Sequence, residues 1–294
     1  MTATRCRVVM EGCGFEKMNA IEAGKVIEYI GRLREKKVGK TGTRTIGPQT
    51  LNYYLRACRQ FTRWLWLNQR MNKNPLLHLT GWDAKQDRRH ERRALSLQEI
   101  HSVLTNTKAS TWDFRGLQPE DRYMLYAVAI GSGLRRSELA SVRPRDLRLD
   151  SHPPVVVVKA AYTKNGQEAT QLIAEDLAAA FRDYLVGKPG NQPVWPGTWS
   201  ERAYAMLKKD LKAAKIAYRD EEGRFADFHA LRHTFITLLA KHNVPPKLAQ
   251  SLARHSDINL TMSVYSHVGL YDQAAALAAV SAFMPSETKQ RKAE

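Results

Sequence analysis

One pair of strand-like runs, in a chain otherwise patterned for helix, limits what residues 95–294 can fold into. Residues 155–159 (VVVVK) and 168–173 read as strands, and Lys164-Asn165-Gly166 between them suits a turn. Around them apolar residues recur at helical spacing, predicting helices over 96–106, 119–132, 136–143, 175–187, 200–216, 229–242, 246–253, 258–264 and 271–283. Ser96 with Glu99 three residues on is a helix-start pair. A mostly α domain with a small β-sheet, an α+β pattern, follows.

The first part of the chain lacks strand signals. A short helix over 1–12 ends at Gly12 and Gly14, and Ile21, Val26, Ile27, Ile30 and Leu33 predict a second over 19–37. After a loop of Gly, Thr and Lys, Pro48 opens a long helix over 48–71. Leu51, Tyr54, Leu55, Cys58, Phe61 and Leu65 form its apolar stripe. Arg56, Arg59, Arg63 and Arg70 form a second stripe, at offsets of 3, 7 and 14. Such a stripe is ordinarily a solvated face. Here charge favours phosphate contacts instead. Residues 83–94 (DAKQDRRHERRA) are charged and without apolar period, which predicts a basic linker, set against a phosphate backbone through Arg88 and Arg89 or else a merely flexible tether. The divisions are thus 1–82, 83–94 and 95–294.

The formal charge of +17 points to a polyanionic partner. Residues 1–94 hold 20 Lys and Arg against 8 Asp and Glu, and residues 95–294 hold 26 against 21, so the smaller part is the more basic. Cys6, Cys13 and Cys58 are sparse, odd in number and without CxxC spacing, which predicts reduced thiols and a cytoplasmic protein. No Cys/His cluster has ligand spacing, so neither metal nor cofactor is expected. No long apolar run predicts a signal peptide or a membrane span.

Three segments carry chemistry: GSGLRRSEL (131–139), HALRH (229–233) and HSDINLTMSVYSH (255–267). A phosphodiester under attack gathers negative charge on its non-bridging oxygens, which planar guanidinium groups match in charge and shape. A tyrosine hydroxyl can be the nucleophile, and a lysine or histidine can protonate the departing sugar oxygen. His229 and Arg232, three apart, share one helix face and can reach one phosphate, while Leu231 points into the core.

These segments resemble the tyrosine recombinase (phage integrase) family. Gly133-Leu134-Arg135-Arg136-Ser137-Glu138-Leu139 is similar to its T-G-L-R-x-S-E-L, with Ser132 where Thr is more usual. The resemblance implies Arg135 as the first catalytic arginine, buttressed by Glu138. His229-x-Leu231-Arg232-His233 fits H-x-L-R-H, implying His229 and Arg232 as phosphate ligands, with His229 also able to help deprotonate the nucleophile. His255 and Tyr265, ten apart, fall where the family has its second histidine and its nucleophile, with Arg254 where Gly commonly precedes the histidine. The family's lysine lies on a hairpin. Lys159 and Lys164 are both available, and Thr163-Lys164-Asn165-Gly166, similar to T-K-x-G, favours Lys164 as general acid.

Residues 44–80 also resemble the family's core-binding domain, an all-α, SAM-like module. The segment before Ile21 is short for its first helix, as in a chain truncated at its start or one that starts at an unusual site. The resemblance implies a DNA breaking-rejoining architecture clamped around double-stranded DNA, and strand exchange through a 3′-phosphotyrosine and a Holliday junction. It implies a homotetramer on two DNA sites that exchanges the helix at 271–283, with accessory DNA-bending proteins, nucleoid association and a mobile element as setting. A type IB topoisomerase-like relaxer and a catalytically silent DNA-binding relic or regulator are the competing readings.

Overall fold

Among the residues that the computed structural model describes, 2–35, 45–84, 87, 90–162 and 166–266, three α-helices lie before residue 91. The chain divides into two compact units after His90. In the first, α1 (Thr2–Gly12) and α2 (Ala23–Leu33) pack on α3 (Pro48–Leu67). Pro48 suits the first turn of α3, where no intrahelical partner for its nitrogen is needed. Leu51, Leu55, Cys58 and Leu65 bury one stripe of α3 against Val9, Val26 and Ile30. Each such aliphatic side chain contributes on the order of 1.5–3 kcal/mol of burial.

Two expected boundaries shift. The second helix begins at Ala23, after a 3-10 turn at Met18–Ala20. The long helix stops at Leu67, because Asn68 caps it through the Trp64 carbonyl and Gln69 turns left-handed at φ 55°. Arg70 therefore lies off the helix face that holds Arg56, Arg59 and Arg63, with its guanidinium over the Trp64 ring at 5.2 Å. Beyond it, Asn52 clamps the returning chain, donating to the Trp82 carbonyl at 2.7 Å and accepting from its amide at 2.8 Å. Gly81 permits this approach, since a Cβ there would meet Asn52 Oδ1 at 2.4 Å.

The second unit opens with α4 (Leu97–Lys108), whose Ser96 hydroxyl and Glu99 carboxylate cap each other's amides at 3.1 and 2.9 Å. There follow α5 (Pro119–Ser132) and the single turn α6 (Arg136–Leu139), then strands β1 (Leu147–Arg148), β2 (Val155–Val158) and β3 (Ala169–Leu172). After these come α7 (Glu175–Leu185), α8 (Ala203–Ala213), α9 (Phe228–Lys241), α10 (Pro246–Leu252) and α11 (Asn259–Tyr265). The helix expected over 136–143 is cut short because Arg143 precedes Pro144 and is extended. The sheet is antiparallel in the order β1-β2-β3, with Leu147 opposite Val156 and Val156 opposite Gln171. Strand β1, which the sequence did not predict, is only two residues long and too brief to show a sequence period.

The core of this unit sits between α5, α9, α8 and α4. Leu125, Val128 and Ala129 of α5 face Phe228 and Leu231 of α9, and Trp199 lies 5.6 Å from Phe228. A buried ion pair joins α5 to α8: Arg122 Nε donates to Asp210 at 3.1 Å, and the Tyr126 hydroxyl donates to the same carboxylate at 2.7 Å. Central packing of α5 and α9 matters for function, because the C-terminal end of the first and the N-terminal half of the second carry the candidate site.

Candidate active site

Gly133 ends α5 in the left-handed conformation, φ 63°, and a Cβ there would strike Phe235 at 2.4 Å. The buried Ser132 hydroxyl spans the break, donating to the Val128 carbonyl and accepting from the Leu134 amide. Ser thus supplies the hydroxyl at a position where Thr is more usual. The chain re-enters helix at α6 with Glu138 as its cap: the Arg135 amide donates to Glu138 Oε2 at 2.7 Å, and Arg135 Nη1 donates to Oε1 at 3.0 Å. Glu138 is fully buried, whereas Arg135 keeps part of its side chain open to solvent.

The N-terminus of α9 is capped by Asp227, which accepts from the Ala230 amide at 3.0 Å. Arg92 holds the same carboxylate through Nε at 2.9 Å. His229 stands exposed in the first turn, Leu231 enters the core, and Arg232 is buried. Arg232 is immobilised by two carbonyls: Nη1 donates to Gly133 at the end of α5, and Nη2 donates to Ala253 at the end of α10. One planar side chain therefore joins three segments that are remote in sequence.

At the end of α10 the amide of His255 bonds the Gln250 carbonyl and that of Arg254 bonds Ser251, with Arg254 left-handed at φ 52°. Arg254 thus occupies the place that glycine fills in such a turn. Its Nη2 donates to Glu138 Oε2 at 2.6 Å, so one carboxylate holds two guanidinium groups. His255 Nδ1 lies 3.0 Å from the buried Thr261 hydroxyl, which leaves Nε2 as the exchangeable nitrogen. Tyr265, the last residue of α11, packs with Phe235, Ile236, Ala253 and Val264, and its hydroxyl donates to the Val244 carbonyl at 2.6 Å.

Burial and the neighbouring cations together bias both histidines and Arg232. Burial, then Arg232, Arg135 and His229, hold His255 down at about 4. Crowding by protein, then Arg92, Arg232 and Arg135, lower His229 to about 4 against an opposing Asp227. Because His229 keeps an exposed face, water screens that field, and the direction is what counts chemically. Both rings are neutral at pH 7 and able to accept a proton. Burial and its cationic neighbours also lower Arg232, which remains a cation at neutral pH. Burial raises the Tyr265 hydroxyl.

Arg135, Glu138, His229, Arg232 and His255 thus share one electrostatic cluster, while Tyr265 is tied to a neighbouring carbonyl. Lys164 lies outside the described residues, as do Arg88, Arg89 and the segment 271–283. Lys159, the other hairpin lysine, pairs with Asp146 at 3.3 Å. Arg56, Arg59 and Arg63 line a cleft of about 720 Å³ on the first unit, together with Asn52, Gln60 and Trp66. Among the described residues no group of three or more His, Cys, Asp or Glu could hold a metal, and no helix is long and apolar enough to cross a membrane. Sequence reasoning missed two cations. Arg92 had no signal to separate it from its arginine-rich surroundings. Arg254 had one, its place before His255.

Residues 93–270 match the phage integrase family. The chain belongs to that family. This integrase family member is 27% identical over 242 residues to tyrosine recombinase XerA of Saccharolobus solfataricus, across 82% of this chain and 70% of the relative. It is 28% identical over 227 residues to tyrosine recombinase XerC of Xanthomonas campestris pv. campestris, across 76% of this chain and 66% of that one. It therefore spans about two thirds of the length of these relatives. Its fold is that of the Tn1549 transposon integrase in complex with transposon right end DNA, at a TM-score of 0.67 and 17% identity over 96% of this chain and 94% of that one. The XerH site-specific recombinase bound to palindromic difH substrate superposes at a TM-score of 0.61 and 17% identity, over 91% and 74%.

Proposed function

We propose that the chain is a site-specific tyrosine recombinase that cuts and rejoins duplex DNA without a metal. The observation that carries this reading is Arg232, whose guanidinium ties the Arg135 segment and the His255 turn to one point. Two clamps fixed before substrate arrives need no reorganisation as charge develops on the phosphate. Tyr265 Oη attacks phosphorus, a phosphotyrosine bond forms at the 3′ end, and the bond to the 5′ oxygen breaks. His229 or His255, neutral at pH 7, takes the tyrosine proton, and Lys164 protonates the departing 5′ oxygen. A 5′ hydroxyl from a second duplex then reverses the step, so each phosphodiester lost is regained.

The basic cleft on the first unit supports a role in gripping the DNA backbone, as does the linker with Arg88 and Arg89. DNA-bound relatives of the same fold point to duplex DNA as the partner. A homotetramer on two sites, a Holliday junction, exchange of the helix at 271–283 and accessory bending proteins complete the proposal. Nucleoid association and a mobile element are its proposed setting.

Covalent trapping tests it. Protein is mixed with nicked, fragmented host DNA and denatured, and any attached DNA is recovered and sequenced, with Tyr265→Phe alongside. An adduct lost in that variant, at one recurrent sequence, is the expected result. Binding without adduct would mark a silent DNA-binding protein, and relaxation of supercoiled DNA lacking any recurrent site would mark a topoisomerase-like relaxer.

A further inference from the structure

We infer that Arg254 is a positioning residue for phosphoryl transfer, acting through Glu138 to fix Arg135 and to keep the phosphate pocket positively charged. This rests on the recombinase reading above and adds a residue to it. The first observation is conformational. At φ 52° Arg254 is left-handed, a conformation that favours glycine in the turn closing α10. A long charged side chain at such a position gives up backbone ease, so what the side chain does is the question.

It reaches Glu138. Nη2 lies 2.6 Å from Oε2 of a carboxylate that is fully buried, and Arg135 Nη1 holds the other oxygen at 3.0 Å. Arg254 Nε is buried with no hydrogen-bond partner, so Glu138 is what anchors the guanidinium. The charge arithmetic then matters. Glu138 paired with Arg135 alone is neutral, and an arginine neutralised by its own buttress is a weak clamp for an anion. Adding Arg254 makes the trio a net cation, and Arg232 adds another. Arg254 thus lets a buried carboxylate orient Arg135 without cancelling its charge.

The same turn also supports both candidate clamps through its backbone. Arg232 donates to the Ala253 carbonyl, and Arg135 Nη2 lies 3.5 Å from that of Arg254. Pinning the Arg254 side chain to α6 therefore fixes the carbonyls on which both arginines rest, and fixes His255 beside them.

The charged groups around Glu138 are Arg135 on its own turn, Arg232 from α9 and Arg254 from the α10 turn. Burial would raise Glu138, but the Arg135 amide, the Arg254 charge and hydrogen bonds from both guanidiniums hold it below the usual carboxylate range. Removing Arg254 tips this balance upward, so Glu138 protonates at higher pH and releases Arg135.

The test uses the full chain and the DNA site recovered by trapping, with Arg254→Gly, Arg254→Gln and Arg254→Lys. Adduct formation is followed against DNA concentration and pH. Glycine suits the backbone, so Arg254→Gly is expected to fold. Its rate at saturating DNA should fall roughly 10- to 100-fold. Half-saturation should move less than about threefold, and the acid limb of the rate should shift to higher pH. Arg254→Lys should recover part of the rate and Arg254→Gln little. A wild-type rate and an unmoved acid limb in Arg254→Gly would overturn the inference alone. So would equal rates for the Lys and Gln variants, which decide the matter if the Gly variant does not fold. If the wild-type chain forms no adduct that depends on Tyr265, the recombinase reading fails and this inference with it.

Discussion

The Tyr265 hydroxyl donates a 2.6 Å hydrogen bond to the Val244 carbonyl. The atom proposed to attack phosphorus is therefore held on a backbone acceptor between α9 and α10, and attack requires that bond to be released. Tyr265→Phe should abolish the covalent DNA adduct completely. It should change unfolding free energy by no more than about 1 kcal/mol, since one hydrogen bond is worth that much net. Adduct assays and urea denaturation on the same preparation check both halves.

Arg232 spans two carbonyls, and lysine cannot. A point charge on a flexible stem satisfies at most one of Gly133 and Ala253 in the geometry that orients the phosphate clamp. Arg232→Lys should lower the rate of adduct formation by roughly 10²- to 10³-fold, the usual cost of one lost oxyanion donor. It should leave DNA affinity within a few-fold, because affinity is spread over many backbone phosphates. Rate constants and affinities measured at one salt concentration separate the two effects.

Protonation of His255 makes stability and DNA binding depend on pH. His255 falls from an ordinary value of 6.5 to about 4 in the folded chain, so the unfolded chain binds its proton first as pH drops. Its contribution to stability is fully present above pH 6.5 and is lost as pH falls toward 4, with water around the half-exposed ring moderating the loss. A DNA phosphate supplies the negative charge that the arginines lack. Binding at pH 5 to 6 should therefore be accompanied by proton uptake, read by calorimetry in buffers of different ionisation enthalpy. His255→Gln should remove part of that uptake.

Legibility in the sequence followed the range of the interaction. Ser96 with Glu99 and Pro48 announce helix starts because caps are local, and their helices begin within a residue of the expectation. The end of α3 was missed because Gln69, not a glycine, takes the left-handed turn. The two-residue β1 exists only through pairing with β2 and has no period of its own. At the site, the resemblance of three short segments to the family's motifs is what pointed to Arg135, His229, Arg232 and His255. Their joining by the Gly133 and Ala253 carbonyls could not be read, since backbone acceptors leave no trace in a sequence. Arg254 was visible only as a departure, and its partner Glu138 lies 116 residues away.

The buried pair that joins α5 to α8 separates stability from chemistry. Asp210 accepts from Arg122 and Tyr126 in a site sealed from water, with no contact to the arginine cluster. Asp210→Ala leaves the Arg122 charge buried without its carboxylate, which should cost on the order of 3–5 kcal/mol. Thermal unfolding should show the loss. The adduct rate per folded molecule should stay close to wild type at a temperature where the variant remains folded.

The cleft on the first unit makes a prediction about salt. Arg56, Arg59 and Arg63 fall on one face of α3, fixed by a helix whose other face is buried, so all three can meet one stretch of phosphates. If each neutralises one phosphate, Arg59→Ala and Arg63→Ala should each reduce the slope of log affinity against log salt by about 1. Affinity should weaken evenly across DNA sequences, because phosphate contacts carry no base information. Arg70→Ala is the internal comparison. Its guanidinium lies over Trp64 beyond the end of the helix, so its slope should match wild type. A slope change as large for Arg70 as for Arg59 would place the DNA path along the Trp64 side rather than in the cleft.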